Sequence, residues 1–268
     1  MSASWPSDLL AGQVAVITGG ASGLGRETAL RLGSAGVSAV VVADVRAEPR
    51  EGGRTTVELL TELGVRAAFV SCDVTKVDQV RGAVDAADAF GGVTILVPAA
   101  GILRMEDPLA VTEEDYDLMM DVNVKGVFFA AQAAGAKMTA HGRGGAIVLI
   151  SSVGGVIGSA SLPTYNMSKG AVRMLAYSLS AALGPHGVRV NAVHPGVVRT
   201  AMTTQDTRLA LDEDGSGVPL GRLGMPADVA DVIVYLASPL AGYVAGTSVF
   251  VDGGVHSAKA GRPVPPKA

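Results

Sequence analysis

Strand-sized apolar runs alternate with helical segments along almost the whole of this 268-residue chain. The runs lack the polar alternation of a half-exposed strand, which favours strands buried in a parallel sheet. The predicted strands are Val14–Thr18, Ala39–Ala43, Ala67–Ser71, Val93–Val97, Ala146–Ile150, Val188–Val193 and Ser248–Val251. The predicted helices include Glu51–Leu63, Val77–Phe90, Thr112–Ala140, Pro163–Leu183 and one that follows Pro226. This order predicts an α/β fold with one doubly wound parallel sheet of about seven strands and helices on both faces.

The composition predicts one cytoplasmic domain and argues against several classes of function. No linker, repeat or low-complexity tract separates Gln13 from Gly254. Residues 1–268 are therefore expected to form a single domain, with a core at about 10–254 and loose termini. A net charge of −4 without basic clusters argues against nucleic-acid and membrane partners. The single cysteine, Cys72, fits a reducing compartment, and four scattered histidines predict no metal site.

A glycine-rich turn follows the first predicted strand and opens a helical stretch. It runs Gly19-Gly-Ala-Ser22-Gly23-Leu24-Gly25. A strand, a tight glycine turn and a helix N-terminus together present backbone N–H groups to a diphosphate. Asp44 ends the second strand nineteen residues after Gly25, where an acid typically binds the adenosine ribose of NAD. The turn alone is a weak signal, but with Asp44 it predicts a Rossmann-type dinucleotide-binding sheet.

The segment Ser151–Lys169 carries the candidate catalytic groups. Within it, Tyr165 and Lys169 stand four residues apart on a predicted helix and therefore share one face. A neighbouring ammonium favours the phenolate, so we expect the pKa of Tyr165 to lie below its usual ~10, as acid–base work near neutral pH requires. Most tyrosines and lysines with this spacing, when no other motif accompanies them, are ordinary surface residues. The position of this pair, thirteen residues after Ser152 and in a chain with a nucleotide-binding start, favours catalysis.

These motifs, taken in order, resemble the short-chain dehydrogenase/reductases, a family of NAD(P)-dependent oxidoreductases. The resemblance covers about Leu10 to Gly254. It rests on Thr18–Gly25, Asp44, Asp73-Val74, Asn123, Ser152, the Tyr165/Lys169 pair, Pro195-Gly196 with Thr200, and Val251–Gly254. It implies an enzyme that interconverts a secondary alcohol and a ketone by hydride transfer to or from NAD.

By the same resemblance, four residues would form the catalytic group. Tyr165 would exchange a proton with the substrate oxygen, and Lys169 would lower the tyrosine pKa and hold the nicotinamide ribose. Ser152 would hydrogen-bond the reacting carbonyl. Asn123, a poor residue for the middle of a helix, would hold a water that links Lys169 to solvent.

The resemblance and the glycine-rich turn together imply the residues that bind the cofactor. Asp73 and Val74 would flank the adenine, whereas Val198 and Thr200 would contact the nicotinamide amide. The full set is Gly19, Ser22, Gly23, Leu24, Gly25, Asp44, Asp73, Val74, Ala100, Gly101, Tyr165, Lys169, Pro195, Gly196, Val198 and Thr200. Asp44 favours NAD, with NADP less favoured.

One segment departs from the family pattern. After the fourth strand, relatives usually have Asn-Asn-Ala-Gly, whereas this chain has Pro98-Ala99-Ala100-Gly101. The asparagine pair helps to tie the middle of the sheet together in the family, and Pro98 also lacks a backbone donor. We expect altered cofactor affinity or local rigidity without loss of activity, because neither position does the chemistry.

The segment after Thr200, which closes over the substrate in this family, combines apolar residues with acids. It contains Met202, Leu209, Leu211, Val218 and Leu220, the acids Asp206, Asp212, Glu213 and Asp214, and the cations Arg208 and Arg222. A strongly anionic substrate would need more fixed positive charge, so a small uncharged alcohol or ketone is favoured. The alternatives are a 3-oxoacyl-thioester reductase acting on acyl carrier protein or CoA, and a non-catalytic nucleotide-binding relative. The resemblance also implies a homotetramer, whose subunits pair through the long predicted helices Thr112–Ala140 and Pro163–Leu183.

Overall fold

The computed structural model describes residues 5–204 and 215–258. Its strands are β1 Val14–Thr18, β2 Ala39–Asp44, β3 Arg66–Ser71, β4 Ile95–Pro98, β5 Gly145–Ile150, β6 Val188–Pro195 and β7 Ser248–Val251. They form one sheet in the order β3-β2-β1-β4-β5-β6-β7, and every neighbouring pair is parallel. The predicted doubly wound α/β sheet is confirmed.

Helices connect the strands and cover both faces of the sheet. The α-helices in the described ranges are α1 Gly23–Ser34, α2 Thr56–Glu62, α3 Val77–Asp85, α4 Glu113–Met120, α5 Gly126–His141, α6 Pro163–Leu183, α7 Ala201–Thr204 and α8 Pro226–Ala237. Short 3₁₀ turns follow at Ala86–Phe90, Val153–Gly155, Gly184–His186 and Pro239–Ala241. Among the described residues, no helix combines the length and apolarity that a bilayer crossing needs.

The two faces of the sheet bury two apolar layers. Alternate residues of β1 point to opposite faces. Val14 and Val16 pack with residues of α3, α5 and α6, whereas Ala15 and Ile17 pack with residues of α1, α2 and α8. Every residue of β1 is buried, which explains why its sequence is apolar without alternation.

Helix α2 is shorter than the sequence predicts. It begins at Thr56 rather than at Glu51. Gly52–Gly53 adopt left-handed φ values of 78° and 87°, which keep the preceding segment out of a helix. The N-terminus is then fixed by a capping box, in which the Thr55 hydroxyl accepts from Glu58 N and the Glu58 carboxylate accepts from Thr55 N.

The long helix predicted over Thr112–Ala140 is continuous in outline but irregular in the middle. A π-helical turn, Asp121–Lys125, joins α4 to α5, and Asn123 lies within it. Such turns insert an extra residue into a helix and frequently occur at functional sites. The interruption places a polar side chain at the point where this helix passes the carboxyl edge of the sheet.

Candidate active site

The carboxyl ends of the strands enclose a cavity of about 590 Å³. It extends from the end of β2, across the turn after β1, to Ser152 after β5 and the first turns of α6. Ligands of open parallel sheets bind at this edge, where the strand order reverses. All the predicted cofactor-binding residues line the cavity: Gly19, Ser22, Gly23, Leu24, Gly25, Asp44, Asp73, Val74, Ala100, Gly101, Tyr165, Lys169, Pro195, Gly196, Val198 and Thr200. Ser152 lines it too, whereas Asn123 is buried behind its wall.

The glycine-rich turn packs too tightly for a side chain at two positions. Gly19 has a φ of 67°, and a Cβ added to it would lie 2.6 Å from the backbone nitrogen of Ala100. A Cβ on Gly25, in the first turn of α1, would lie 2.2 Å from the carbonyl oxygen of Gly19. The turn therefore lies against the chain that follows β4 and leaves the N-terminus of α1 in the cavity wall.

Backbone contacts join β1 to the segment that lacks the family's asparagine pair. Ala99 N donates to the Thr18 carbonyl at 2.9 Å, and Ala100 N donates to the Thr18 hydroxyl at 3.4 Å. Alternate residues of a parallel strand bond to opposite neighbours, so Pro98 faces β5. The pairing of β4 with β5 ends at Leu96. Strand β5 continues to Ile150, so the missing amide of Pro98 ends this pairing by leaving the next bond of the ladder without a donor.

Asp44 lies at the end of the cavity beside β2, which we call the adenosine end because the sequence predicts the adenosine ribose there. Its carboxylate accepts hydrogen bonds from Ala21 N at 3.1 Å and from Val45 N at 2.8 Å. Burial raises the pKa of this carboxyl, and the two backbone bonds and the charge of Arg46 oppose that rise. Arg46 and Arg50 also line this end of the cavity. The adenosine end thus combines an acid with two guanidinium groups.

Residues 45–55, between β2 and α2, form a strap that lies on the glycine-rich turn. The Glu51 carboxylate accepts from Gly23 N, the first residue of α1, at 2.9 Å. Arg50 N donates to the Ser22 hydroxyl at 2.8 Å. Sequence reasoning missed these contacts because it placed Glu51 in a helix. The two consecutive glycines that follow Glu51 were the available signal that this segment is a loop.

Three predicted catalytic side chains meet at the opposite end of the cavity. The Ser152 hydroxyl accepts from Gly154 N at 3.0 Å and lies near enough to the Tyr165 phenol to act on its pKa. The Lys169 ammonium lies 5.7 Å from the centroid of the Tyr165 ring and donates to the Ile150 carbonyl at 3.0 Å. Ser152, Tyr165 and Lys169 are each at most 9% exposed. The structure therefore brings together a buried hydroxyl pair and a buried amine.

Burial determines the protonation of these groups in the cofactor-free protein. It raises the pKa of Tyr165, and the hydrogen bond with Ser152 only partly opposes that rise. It lowers the pKa of Lys169 from 10.5 to about 8. The expectation that Lys169 holds the Tyr165 pKa below its usual value is therefore wrong for the cofactor-free protein. Desolvation of the phenolate outweighs the attraction of an ammonium whose own charged form is destabilised.

Asn123 contributes to the site through hydrogen bonds to neighbouring chain segments. Its side-chain oxygen accepts from Ile102 N at 2.9 Å, and its amide nitrogen donates to Ile102 O at 2.9 Å and to the Ser168 hydroxyl at 3.1 Å. A Cβ on Gly101 would lie 3.3 Å from the Asn123 oxygen and 3.7 Å from Lys169 Nζ. Through these contacts the Asn123 side chain joins the segment after β4 to α6.

The segment after β6 completes the wall of the cavity. Gly196 N donates to Val251 O at 3.0 Å, and a Cβ on Gly196 would lie 2.8 Å from the Cα of Asp252. Val198 forms an isolated bridge with Gly224. The predicted Pro195-Gly196 turn is thus packed between β6 and the chain that follows β7.

The predicted substrate-closing segment is described only in part. Met202 lines the cavity. Arg222 is held by Asp228 through contacts of 2.6 and 2.8 Å, so its charge is already paired. The remaining predicted members in 205–214 lie outside the described residues: Asp206, Arg208, Leu209, Leu211, Asp212, Glu213 and Asp214. Within the described ranges, no cluster of three or more His, Cys, Asp or Glu side chains is placed to hold a metal ion.

Comparison with known proteins agrees with this geometry. A family profile described as enoyl-(acyl carrier protein) reductase matches residues 19–256. The chain is 39% identical over 251 residues to 2-dehydro-3-deoxy-D-gluconate 5-dehydrogenase of Escherichia coli K12, covering 91% of this chain and 96% of the relative. It is 37% identical over 250 residues to L-rhamnose 1-dehydrogenase (NAD(P)(+)) of Azotobacter vinelandii, covering 92% and 98%.

A solved structure has the same fold over nearly its whole length. The short-chain dehydrogenase/reductase of Mycobacterium marinum superposes with a TM-score of 0.86 at 33% identity, covering 94% of this chain and 99% of that one. The chain therefore belongs to the short-chain dehydrogenase/reductase family. Its relatives are dehydrogenases and reductases, and the family assignment makes it an NAD(P)-dependent oxidoreductase.

Proposed function

We propose that this protein is an NAD-dependent oxidoreductase that interconverts a secondary alcohol and a ketone, with Tyr165 as its acid–base group. One observation carries the proposal: Lys169 is buried beside Tyr165 without a carboxylate partner among the described residues. Lysine is almost never buried unpaired, because desolvating its charge costs several kcal/mol. Lys169 therefore does not stabilise the fold. A role in catalysis explains why a lysine lies beside the buried Tyr165 and Ser152.

The residues of the cavity fit a dinucleotide. Two glycines whose Cβ atoms would collide with backbone bring the chain close to the diphosphate position, and the N-terminus of α1 lies beside it. The bound cofactor would supply or accept the hydride. The Tyr165 hydroxyl would give or take the substrate proton, Ser152 would donate a hydrogen bond to the reacting oxygen, and Lys169 would hold the nicotinamide ribose. In this proposal the whole chain acts as one cofactor-binding and catalytic domain.

The adenosine end supports NAD in preference to NADP. The Asp44 carboxylate lies where ribose hydroxyls are bound, and a 2′-phosphate there would meet a like charge. Unit charges about 4 Å apart repel by roughly 4 kcal/mol at an effective dielectric of ~20. Arg46 and Arg50 line the same end and reduce this repulsion, so the proposed preference is not absolute.

The opposite end supports an uncharged substrate. Its described lining is mostly apolar and includes Ile102, Leu103, Val153, Ile157, Leu162, Val197 and Met202. Lys169 is the only cation of the described lining at this end, and the other two, Arg46 and Arg50, lie at the adenosine end. One relative, 37% identical over 255 residues, is the L-2,3-butanediol dehydrogenase of Corynebacterium glutamicum, whose named substrate is a small uncharged diol. We therefore propose a small secondary alcohol or ketone as the substrate.

A second candidate is a 3-oxoacyl-thioester reductase. The family profile is described as an enoyl-(acyl carrier protein) reductase, and a human (3R)-3-hydroxyacyl-CoA dehydrogenase is 35% identical over 263 residues. A phosphorylated carrier would need basic residues at the mouth of the cavity. A third candidate, a non-catalytic nucleotide-binding relative, is disfavoured because Ser152, Tyr165 and Lys169 are all present.

We also propose that the protein is cytoplasmic and forms a homotetramer. A monomer mass in light scattering would contradict the tetramer.

The test is a turnover assay across uncharged ketones, sugar acids and 3-oxoacyl thioesters with NADH and NADPH. The wild-type protein should reduce an uncharged ketone with NADH. Tyr165→Phe should lower kcat by ~10²–10⁴-fold while NAD still binds, because it removes only the acid–base group. Tyr243→Phe, which alters a fully exposed tyrosine, is the matched control and should leave kcat unchanged. A Tyr165→Phe enzyme with wild-type turnover in both directions would overturn the mechanism.

A further inference from the structure

A histidine with no role in the proposed chemistry is buried next to the catalytic serine. His194, at the carboxyl end of β6, is 0% exposed. Its Nδ1 lies 2.9 Å from the Ser152 carbonyl oxygen, and its Nε2 lies 2.9 Å from the Ser248 hydroxyl. The Phe250 ring stacks on the imidazole with centroids 4.7 Å apart. A buried imidazole with a partner on each nitrogen and a ring against its face is held in one orientation.

The chain of hydrogen bonds continues from His194 to α6. The Ser248 hydroxyl lies 2.6 Å from the Tyr177 hydroxyl, which accepts from Arg173 Nε at 3.0 Å. Arg173 and Tyr177 continue the four-residue spacing of Tyr165 and Lys169. The four side chains therefore lie along one line of α6. The same helix thus carries the proposed acid–base pair and the far end of the chain of hydrogen bonds that returns to Ser152.

The donors and acceptors fix the direction of every bond in this chain. The Ser152 carbonyl can only accept, so the imidazole carries a proton on Nδ1. In the neutral imidazole, Nε2 then accepts from the Ser248 hydroxyl, which must itself accept from the Tyr177 hydroxyl. Arg173 can only donate, so the Tyr177 oxygen accepts from it while its hydrogen goes to Ser248. Burial lowers the pKa of His194, which favours this neutral form.

We propose that His194 is a positioning residue for the reaction and acts through Ser152. Its Nδ1–H holds the Ser152 carbonyl, and Ser248, Tyr177 and Arg173 hold the tautomer that makes this bond possible. The backbone of Ser152 is thereby fixed while its hydroxyl accepts from Gly154 N and lies beside the Tyr165 phenol. The inference rests on the proposed function, because it assigns His194 an effect only where the Ser152 hydroxyl takes part in turnover.

The test is a double-mutant cycle between His194 and Ser152, measured as kcat with the ketone that the wild-type enzyme reduces. His194→Phe keeps a stacking ring but removes the donor, and it should lower kcat about tenfold or more, since small displacements of reacting groups cost this much. His194→Asn carries an amide nitrogen at the Nδ1 position and should restore kcat to within about threefold of wild type. In a Ser152→Ala background, His194→Phe should lower kcat by less than about twofold, because the group it positions is gone.

A matched control separates positioning from general damage to the strand. Asn191 lies three residues earlier on β6, is 1% exposed, and donates to Val244 O at 2.8 Å. Asn191→Leu should lower thermal stability while leaving kcat per folded enzyme within about twofold in both the wild-type and the Ser152→Ala backgrounds. A readout independent of turnover is the ¹⁵N NMR spectrum of the histidines, which should show His194 protonated on Nδ1 alone.

The outcomes distinguish the inference from the function on which it rests. If Ser152→Ala retains wild-type kcat, the serine has no part in turnover, and both the proposed mechanism and this inference fail. If Ser152→Ala is impaired but His194→Phe lowers kcat by the same factor in both backgrounds, only the inference fails. A proton on Nε2 of His194 in the wild-type spectrum, or a His194→Asn enzyme as impaired as His194→Phe, would also overturn it.

Discussion

Replacing Lys169 with methionine should make the cofactor-free protein more stable at pH 7 while abolishing its activity. Burial lowers the pKa of Lys169 from 10.5 to about 8. At ~1.36 kcal/mol per pKa unit, holding this ammonium in the folded protein costs about 3 kcal/mol wherever both states are protonated. Methionine fills similar space without charge but gives up the hydrogen bond to Ile150 O, worth about 1 kcal/mol. We expect Lys169→Met to raise the free energy of unfolding by about 1–3 kcal/mol.

The pH dependence of this gain identifies its cause. Because the folded-state pKa lies below the unfolded-state value, the cost is complete below about pH 8 and disappears as the pH rises toward 10.5. The advantage of Lys169→Met over wild type should therefore shrink by about 2 kcal/mol between pH 7 and pH 9.5. The lost hydrogen bond and the altered packing do not titrate, so they shift the size of the advantage without changing this slope.

The assay is urea unfolding of the cofactor-free proteins followed by circular dichroism, at equal protein concentration because assembly also stabilises the folded state. Lys76→Met is the matched control, since Lys76 is exposed, and its stability should follow wild type at every pH. The reasoning fails if Lys169→Met is no more stable than wild type at pH 7, or if its advantage is the same at pH 7 and pH 9.5.

Two further predictions concern the cofactor. Asp44→Ala should raise the ratio of kcat/KM for NADP to that for NAD by about tenfold or more, because it removes the charge that repels a 2′-phosphate. A wild-type enzyme that prefers NADP would contradict the role proposed for Asp44. Burial raises the pKa of Tyr165 in the free protein, and the positive charge of NAD⁺ should lower it, so NAD⁺ affinity should rise with pH as the phenol loses its proton. Calorimetric titrations at several pH values check this. Tyr165→Phe should weaken the pH dependence, and the remainder should come from Lys169, whose pKa is about 8.

The sheet could be predicted from the sequence because parallel strands buried on both faces leave an uninterrupted apolar signal. The positions of Tyr165 and Asp44 followed from the same alternation, since strand ends and the helices after them meet at one edge. The predicted strand order was therefore enough to place the Tyr165 and Asp44 side chains at the same edge of the sheet. The roles assigned to them remain proposals, because no local pattern states what a side chain does.

Contacts between segments distant in sequence could not be predicted in this way. The bond from Gly23 N to Glu51 joins residues 28 apart, and the bond from His194 to Ser152 joins residues 42 apart. Neither has a periodic signature. The protonation of Tyr165 was misjudged for a related reason: the spacing of a tyrosine and a lysine reports their proximity, whereas the pKa also depends on how much protein surrounds them.

The distribution of charge along the cavity implies that cofactor and substrate selectivity can change independently. At the adenosine end, Asp44, Arg46 and Arg50 form a set of fixed charges, so selection there is electrostatic and should respond to ionic strength. At the other end, the described lining is mostly apolar, so selection depends mainly on shape, with about 1–3 kcal/mol for each methylene that fits or clashes. Substitutions at Ile157 or Met202, which line only the second end, should therefore alter the substrate range without altering the preference between NAD and NADP.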